Sequence, residues 1–117
     1  MDYKLINPDY LLSVSGGDPE TVKEITAMFR EQVSEIYQQM SSALEAGDYR
    51  NLGLFAHKVK SSVLIMGMSD LAAGLKKLEI NATEGKETGS FRQIIERFRT
   101  ETEMALTELD DLIKNRL

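Results

Sequence analysis

The chain has 117 residues, of which 42% are apolar and 28% charged, a balance typical of one globular domain and too apolar for a disordered chain. Its formal net charge of −5 argues against a nucleic-acid-binding protein, which needs a broad basic surface to meet phosphates. The absence of cysteine and the single histidine exclude disulfides, zinc sites built from several thiolates or imidazoles, and a Cys–His catalytic pair. Because no apolar run is long enough for a membrane span and no basic leader is visible, we expect a cytoplasmic protein.

The first half of the chain predicts two helices. An Asn-Pro pair at positions 7–8 is a start signal for a short helix that ends near residues 15–17. An Asp-Pro pair at positions 18–19 begins a long helix that runs to residue 46, because apolar residues then recur every three or four positions. This predicted buried stripe consists of Val22, Ile25, Phe29, Val33, Ile36, Met40 and Ala43.

Three more helices follow. Asp48 can cap the third helix, Gly67 ends it, Ser69 can cap the fourth, and the fifth starts near Ser90. Their predicted stripes are Leu52, Ala56, Val59, Val63 and Met66; Leu71, Leu75, Leu78 and Ala82; and Phe91, Ile94, Phe98, Thr102, Ala105, Leu109 and Leu112, with Met28 and Met104 also counted in the core. Four long amphipathic helices with short loops favour an all-α, antiparallel up-down four-helix bundle, flanked by the short N-terminal helix, in a single domain over residues 1–117.

The histidine is the residue most suggestive of chemistry. His57 directly follows the stripe residue Ala56, so its side chain is expected at the edge of the buried face. Gly53 and Ser61 lie one turn away on either side, and their small size is expected to leave the imidazole accessible to a large partner. A glycine inside a helix costs about 1 kcal/mol relative to alanine, which suggests a packing or access reason for Gly53.

The charge pattern around this histidine is locally positive. Residues 49–69 contain no acidic residue, although a uniform distribution of the 19 acids would place about three there. The same stretch carries Arg50, Lys58 and Lys60. Nearby cations favour an anion on the imidazole, which suits a phosphoryl group better than a metal cation.

A carboxylate is predicted beside the ring. With residue 68 as the turn between the third and fourth helices, His57 lies 11 residues before the turn and Glu79 lies 11 after it. At a rise of about 1.5 Å per residue, both are expected at the same level of the helical hairpin. A carboxylate there can accept the Nδ1 proton and leave Nε2 as the free nucleophile.

Each feature also has an ordinary structural interpretation. A single histidine beside an apolar stripe is commonly a surface or half-buried filler. Lys58 and Lys60 can belong to a solvated face, Ser61 can be a weak helix former without a role, and Glu79 can pair with Lys76. Only the combination points to a histidine that accepts phosphate.

The segment from Ala56 to Glu79 resembles the histidine-containing phosphotransfer (HPt) domain family. The residues that match its motif are Ala56, His57, Lys60, Gly67, Leu71, Leu78 and Glu79. The resemblance covers about residues 8–115, and it implies a four-helix bundle with an exposed histidine that relays phosphoryl groups between receiver-domain aspartates in a two-component phosphorelay. The family usually has glycine where this chain has Ser61.

The resemblance also implies roles for individual residues. His57 would be phosphorylated at Nε2, Lys60 and Lys58 would offset the phosphoryl charge, and Glu79 would orient the ring. The expected partner-binding residues are Gly53, Ser61 and Leu64. The expected partners are response-regulator receiver domains and a hybrid sensor histidine kinase, with no nucleic acid and no membrane. The protein would be a monomeric phosphoryl carrier rather than an enzyme, without a cofactor or metal of its own, because the catalytic metal belongs to the receiver.

Two other functions remain open at this point. The same bundle can serve as a non-catalytic adaptor that binds a receiver or a partner helix without being phosphorylated. An enzyme that uses His57 and Glu79 as an acid–base pair would need a concave pocket beside the histidine, whereas the small neighbours indicate an open surface.

Overall fold

The computed structural model describes residues 3–117, which form five α-helices and no β-strand. The helices are α1 (Pro8–Val14), α2 (Pro19–Glu45), α3 (Tyr49–Ile65), α4 (Ser69–Glu84) and α5 (Phe91–Arg116), and a 3-10 turn at Thr88–Ser90 precedes α5. Helix α2 packs against α3 and α5, and α4 packs against the same two helices, so the four long helices close into a bundle of 43 × 22 × 20 Å. The predicted all-α bundle with a short N-terminal helix is confirmed.

The helix ends follow the predicted signals with one exception. The side chains of Asn7, Asp18 and Asp48 accept hydrogen bonds from backbone amides of the first turns of α1, α2 and α3. The expectation that Ser69 caps α4 is wrong, because Ser69 is already the first helical residue and Met68 holds the cap position without a side-chain hydrogen bond. The buried Met68 side chain and the preceding left-handed turn start the helix one residue earlier than expected.

The core contains most of the predicted stripe residues, but four assignments are wrong. Thr26 and Ile95 are buried at the two positions where Ile25 and Ile94 were expected, and both isoleucines are only partly buried. Successive buried residues can be four and then three positions apart, or three and then four, and both spacings fit a helix. The helix packed against this face therefore decides which of two neighbouring residues points inward. Met28 and Met104 are 69% and 48% exposed rather than in the core.

The N-terminal residues 3–7 form a segment, called here the N-terminal clasp, that ties α5 to the turn between α3 and α4. The buried carboxylate of Glu108 accepts backbone N–H bonds from Lys4 at 2.9 Å and from Leu5 and Ile6 at 3.0 Å each. At the other end, the backbone N–H of Asn7 donates a hydrogen bond to the backbone carbonyl of Met66 at 2.9 Å. The clasp therefore connects two parts of the bundle that are far apart in sequence.

Gly67 makes the far end of the clasp possible. Its φ of +84° is the left-handed conformation that glycine adopts without strain. A Cβ on this residue would lie 2.8 Å from the Asn7 amide nitrogen. The predicted left-handed stop is confirmed, and the close approach of the clasp gives a second reason for glycine here.

Candidate functional site

The site forms where α3 and α4 face each other at the level of His57. Ala56 and Leu78, the residues that precede His57 and Glu79, are both buried in the core. The side chains of His57 and Glu79 therefore lie at the edge of the interface between the two helices. The Nδ1 atom of His57 lies 3.0 Å from Oε2 of Glu79, so the contact predicted from the hairpin register is confirmed.

The imidazole is open to solvent while its carboxylate partner is more protected. The His57 side chain is 62% exposed and the Glu79 side chain is 28% exposed. At 3.0 Å, Nδ1–H is within donating distance of Glu79, which favours the tautomer with a lone pair on Nε2. In that tautomer Nε2 is the ring nitrogen without a proton.

Lys60 joins this pair, whereas Lys58 does not. The Nζ atom of Lys60 lies 3.6 Å from Oε1 of Glu79, so one carboxylate contacts both the imidazole and the ammonium through its two oxygens. Lys58 is exposed and lines a groove between α2 and α3, on the other side of His57. The two lysines that the sequence grouped together thus lie in different surroundings.

Gly53 has a different role from the one expected. The residue is buried, and a Cβ there would lie 3.3 Å from the Glu79 carbonyl oxygen and 3.5 Å from Cβ of Ala82. Because α4 covers Gly53, the expectation that it lies on a partner-binding surface is wrong. Its missing side chain instead allows α3 and α4 to approach closely at the level of His57, which brings Glu79 within reach of the ring.

The exposed face of α3 carries apolar side chains on both sides of His57. Ser61 is exposed, and Leu64, two turns after His57, is 41% exposed. Leu54, one turn before the histidine, is 56% exposed and was not predicted to belong to this surface. Its spacing of three residues from His57 is the signal that identifies it.

A groove of about 420 Å³ runs between α2 and α3 beside this face. The groove is lined by Ile25, Met28, Phe29, Glu31, Gln32, Glu35, Lys58, Ser62, Ile65 and Met66. The α2 edge of the groove was not predicted, because the sequence pattern places Met28 in the core. The groove passes Lys58 but is not lined by His57, so it does not form the catalytic pocket that an acid–base enzyme would need.

Neither a cluster of metal ligands nor a membrane-spanning helix is found among the described residues. Within residues 3–117, no group of three or more histidine and acidic side chains is arranged to hold a metal ion. None of the helices described is both long enough and apolar enough to cross a bilayer.

Comparison with protein families decides the class of this protein. The family model described as "Hpt domain" matches residues 24–112, which is most of the chain and includes both His57 and Glu79. The chain belongs to the Hpt domain family. Members of this family are histidine phosphotransfer proteins, which act as phosphoryl carriers in phosphorelays and interact with receiver domains and kinases rather than acting as conventional enzymes.

Comparison with solved structures supports the fold of this Hpt domain. The crystal structure of histidine-containing phosphotransfer protein B (HptB) from Pseudomonas aeruginosa PAO1 superposes with a TM-score of 0.86, over 99% of this chain and 100% of that one, at 22% sequence identity. At this identity the match concerns the arrangement of the helices. A comparison with curated protein sequences finds none that matches the chain.

Proposed function

We propose that this Hpt domain carries a phosphoryl group on Nε2 of His57 and relays it between receiver-domain aspartates. The observation that supports the proposal is the exposed imidazole whose Nδ1 lies 3.0 Å from the Glu79 carboxylate. In the forward step, the Nε2 lone pair attacks the phosphorus of an aspartyl phosphate, and the bond from phosphorus to the aspartate oxygen breaks. The aspartate leaves as a carboxylate, and a second receiver aspartate reverses the step.

Glu79 acts as a positioning residue in this reaction. When Nε2 bonds to phosphorus while Nδ1 keeps its proton, the ring becomes cationic. A carboxylate within 3.0 Å of Nδ1 stabilises that positive charge as it develops and prevents the ring from rotating away. The Nδ1 proton therefore remains where it is throughout the transfer, and no separate base is needed.

The lysines offset the charge of the phosphoryl group. Lys60 already contacts Glu79, which holds its ammonium close to the ring. Lys58 is exposed on the next position of the helix and can approach the phosphoryl group from the α2 side. Positioning and neutralisation of charge are the main requirements of phosphoryl transfer, and the catalytic magnesium would be supplied by the receiver.

The proposed partners are receiver domains and a hybrid sensor histidine kinase. Leu64 and Ser61 offer an exposed apolar and a small polar contact next to the ring. A hydroxyl at position 61, where the family usually has glycine, lies one turn beyond His57 and within the area that a docked receiver must cover. We further propose that the protein acts as a cytoplasmic monomer formed by the single domain.

Phosphotransfer from purified receiver domains tests the proposal. Each receiver is phosphorylated with a radiolabelled small-molecule donor, such as an acyl phosphate, and mixed with wild-type protein or with His57→Gln. This substitution removes the nucleophile from an exposed position, and the variant should fold normally. We expect label on the wild type only, stable in alkali and lost in acid, with identical circular dichroism spectra for the two proteins. Equal labelling of both proteins contradicts the assignment. Tight binding of a phosphorylated receiver without any labelling favours the adaptor function.

A further inference from the structure

The groove between α2 and α3 has an exposed apolar side and a buried floor. Phe29 and Met66, which are 2% and 1% exposed, lie at its base. Met28 on the α2 edge is 69% exposed, the highest value among the large apolar side chains that the structure describes as exposed. An unbranched, flexible methionine at such an edge adapts to apolar surfaces of different shape. The groove thus has the character of a contact surface rather than of an incompletely packed core.

The α2 edge of the groove is acidic. Glu31 and Glu35 follow Met28 by one and two turns and line the same groove, and both are exposed. Neither takes part in any ion pair found within residues 3–117. Like charges four residues apart on a helix repel each other, and a cation from a partner would relieve this repulsion.

The acidic edge contrasts with the acids of α5. There, Glu96, Glu101 and Glu103 all lie within ion-pair distance of arginines on the same helix. The glutamates of the groove have no such internal partner in the part of the chain that is described. Their negative charge is therefore available for recognition.

The groove is continuous with the site of phosphoryl transfer. Lys58 belongs to the groove and directly follows His57 in α3, so a protein that brings an aspartyl phosphate to the ring must pass over the groove or beside it. Cations lie next to the ring, and anions lie on the α2 edge. This separation of charge fixes the orientation in which a partner of complementary charge can dock.

We propose that Glu31 and Glu35 select the receiver domain, by pairing with a lysine or arginine that flanks an apolar side chain seated on Met28. The inference rests on the proposed function, because it concerns the same encounter with a receiver. It adds that receivers with a basic residue at this contact exchange phosphoryl groups with His57 faster than receivers that carry an acidic residue there. The acidic edge acts mainly on the rate of association, and the apolar contact acts mainly on the lifetime of the complex.

Charge reversal tests the selection. The probe is the receiver that labels wild-type protein fastest, and the groove variant is Glu31→Lys/Glu35→Lys. The control is Glu87→Lys/Glu103→Lys, which changes the net charge by the same amount at positions away from the groove. We expect the groove variant to lose about tenfold or more in kcat/KM at low salt, and the control to lose about twofold or less. The difference between them should shrink as salt is added, because exposed charges are then screened.

Two further measurements complete the test. Met28→Ala should lower kcat/KM about fivefold, and unlike the charge effect this loss should persist at high salt. Replacing the basic contact residue of the probe receiver with glutamate should restore transfer to Glu31→Lys/Glu35→Lys.

If the groove variant and the control behave alike, the selection proposal is wrong while phosphotransfer through His57 stands. If no receiver labels the wild type, and the small donor phosphoramidate does not label it either, the proposed function itself is wrong.

Discussion

Two glutamates of this Hpt domain use the same chemical group under opposite conditions. Glu79 is 28% exposed and contacts a histidine and a lysine, both of which can also interact with a partner. Glu108 is only 7% exposed, and its two oxygens accept backbone amides of the N-terminal clasp. One carboxylate is held at an open edge of the bundle and the other is closed within it.

This difference predicts which property of the protein, stability or phosphoryl transfer, each carboxylate affects. A buried carboxylate whose hydrogen bonds come from the backbone contributes to stability, because its removal leaves several amides without an acceptor. A partly exposed carboxylate that contacts an exposed imidazole and a partly exposed ammonium contributes less to stability, because water still reaches these groups. Its value lies in the orientation and charge of the ring it contacts. We therefore expect changes at Glu108 to affect unfolding and changes at Glu79 to affect transfer.

Glu108→Gln should give the largest effect on folding. The amide nitrogen of glutamine cannot accept the clasp amides, so we expect the free energy of unfolding to fall by about 2 kcal/mol. Urea denaturation measures the change, and Glu103→Gln, exposed on the same helix, is the control. Transfer to His57 at a temperature where the variant is folded should match that of the wild type. A loss of transfer without a loss of stability would mean that Glu108 serves phosphoryl transfer rather than the stability of the fold.

Glu79→Gln should show the reverse pattern. We expect the stability to change by less than about 1 kcal/mol, because glutamine keeps the shape of the side chain and water still reaches this edge of the bundle. Transfer to His57 should slow by about tenfold, since a neutral amide does not stabilise the cationic ring. Single-turnover labelling by a phosphorylated receiver measures the rate. The control is Glu84→Gln, because Glu84 lies near the end of the same helix and forms an exposed ion pair with Lys86. Unchanged labelling would show that Glu79 has no positioning role.

Tyr3→Phe should have the smallest effect, and its size should depend on pH. Partial burial and the 2.7 Å hydrogen bond to Asp111 raise the pKa of the Tyr3 hydroxyl above 10.0, and the same bond lowers the pKa of the Asp111 carboxyl below 3.8. The lowered carboxyl pKa adds stability above pH 3.8 that is lost as the pH falls through the folded-state value. The raised hydroxyl pKa adds stability below pH 10.0 that is lost as the pH rises through the folded-state value.

Thermal unfolding over this pH range checks the expectation. The melting temperature of Tyr3→Phe should lie slightly below that of the wild type near neutral pH, and the two should converge at both extremes. Tyr10→Phe, which changes an exposed hydroxyl in α1, is the control and should follow the wild type throughout. A gap that stays constant with pH would indicate that the hydroxyl acts through packing alone, for instance through the Arg116 guanidinium over its ring.

The positions of the helices and the pairing of His57 with Glu79 could be predicted because both follow from regular geometry. Capping residues, glycines and a period of 3.6 residues define each helix, and two helices joined by a tight turn bring equal distances from the turn to the same level. Glu108 was not predicted, although it stands on the buried face of α5, three residues after Ala105. A charged residue on an apolar stripe was the signal, but its partners are more than 100 residues away in sequence.

The sequence by itself determined the helices, their buried faces and the level at which the histidine meets a carboxylate, because these depend on local spacing along a regular helix. Only the tertiary structure decided which residues next to the stripes are buried, as at Thr26 and Ile95. It also decided that Gly53 faces α4, that Met28 is exposed and that the clasp closes on Glu108. These outcomes depend on how far apart the helices pack and how they are rotated about their axes. Both quantities are set by contacts between residues distant in sequence.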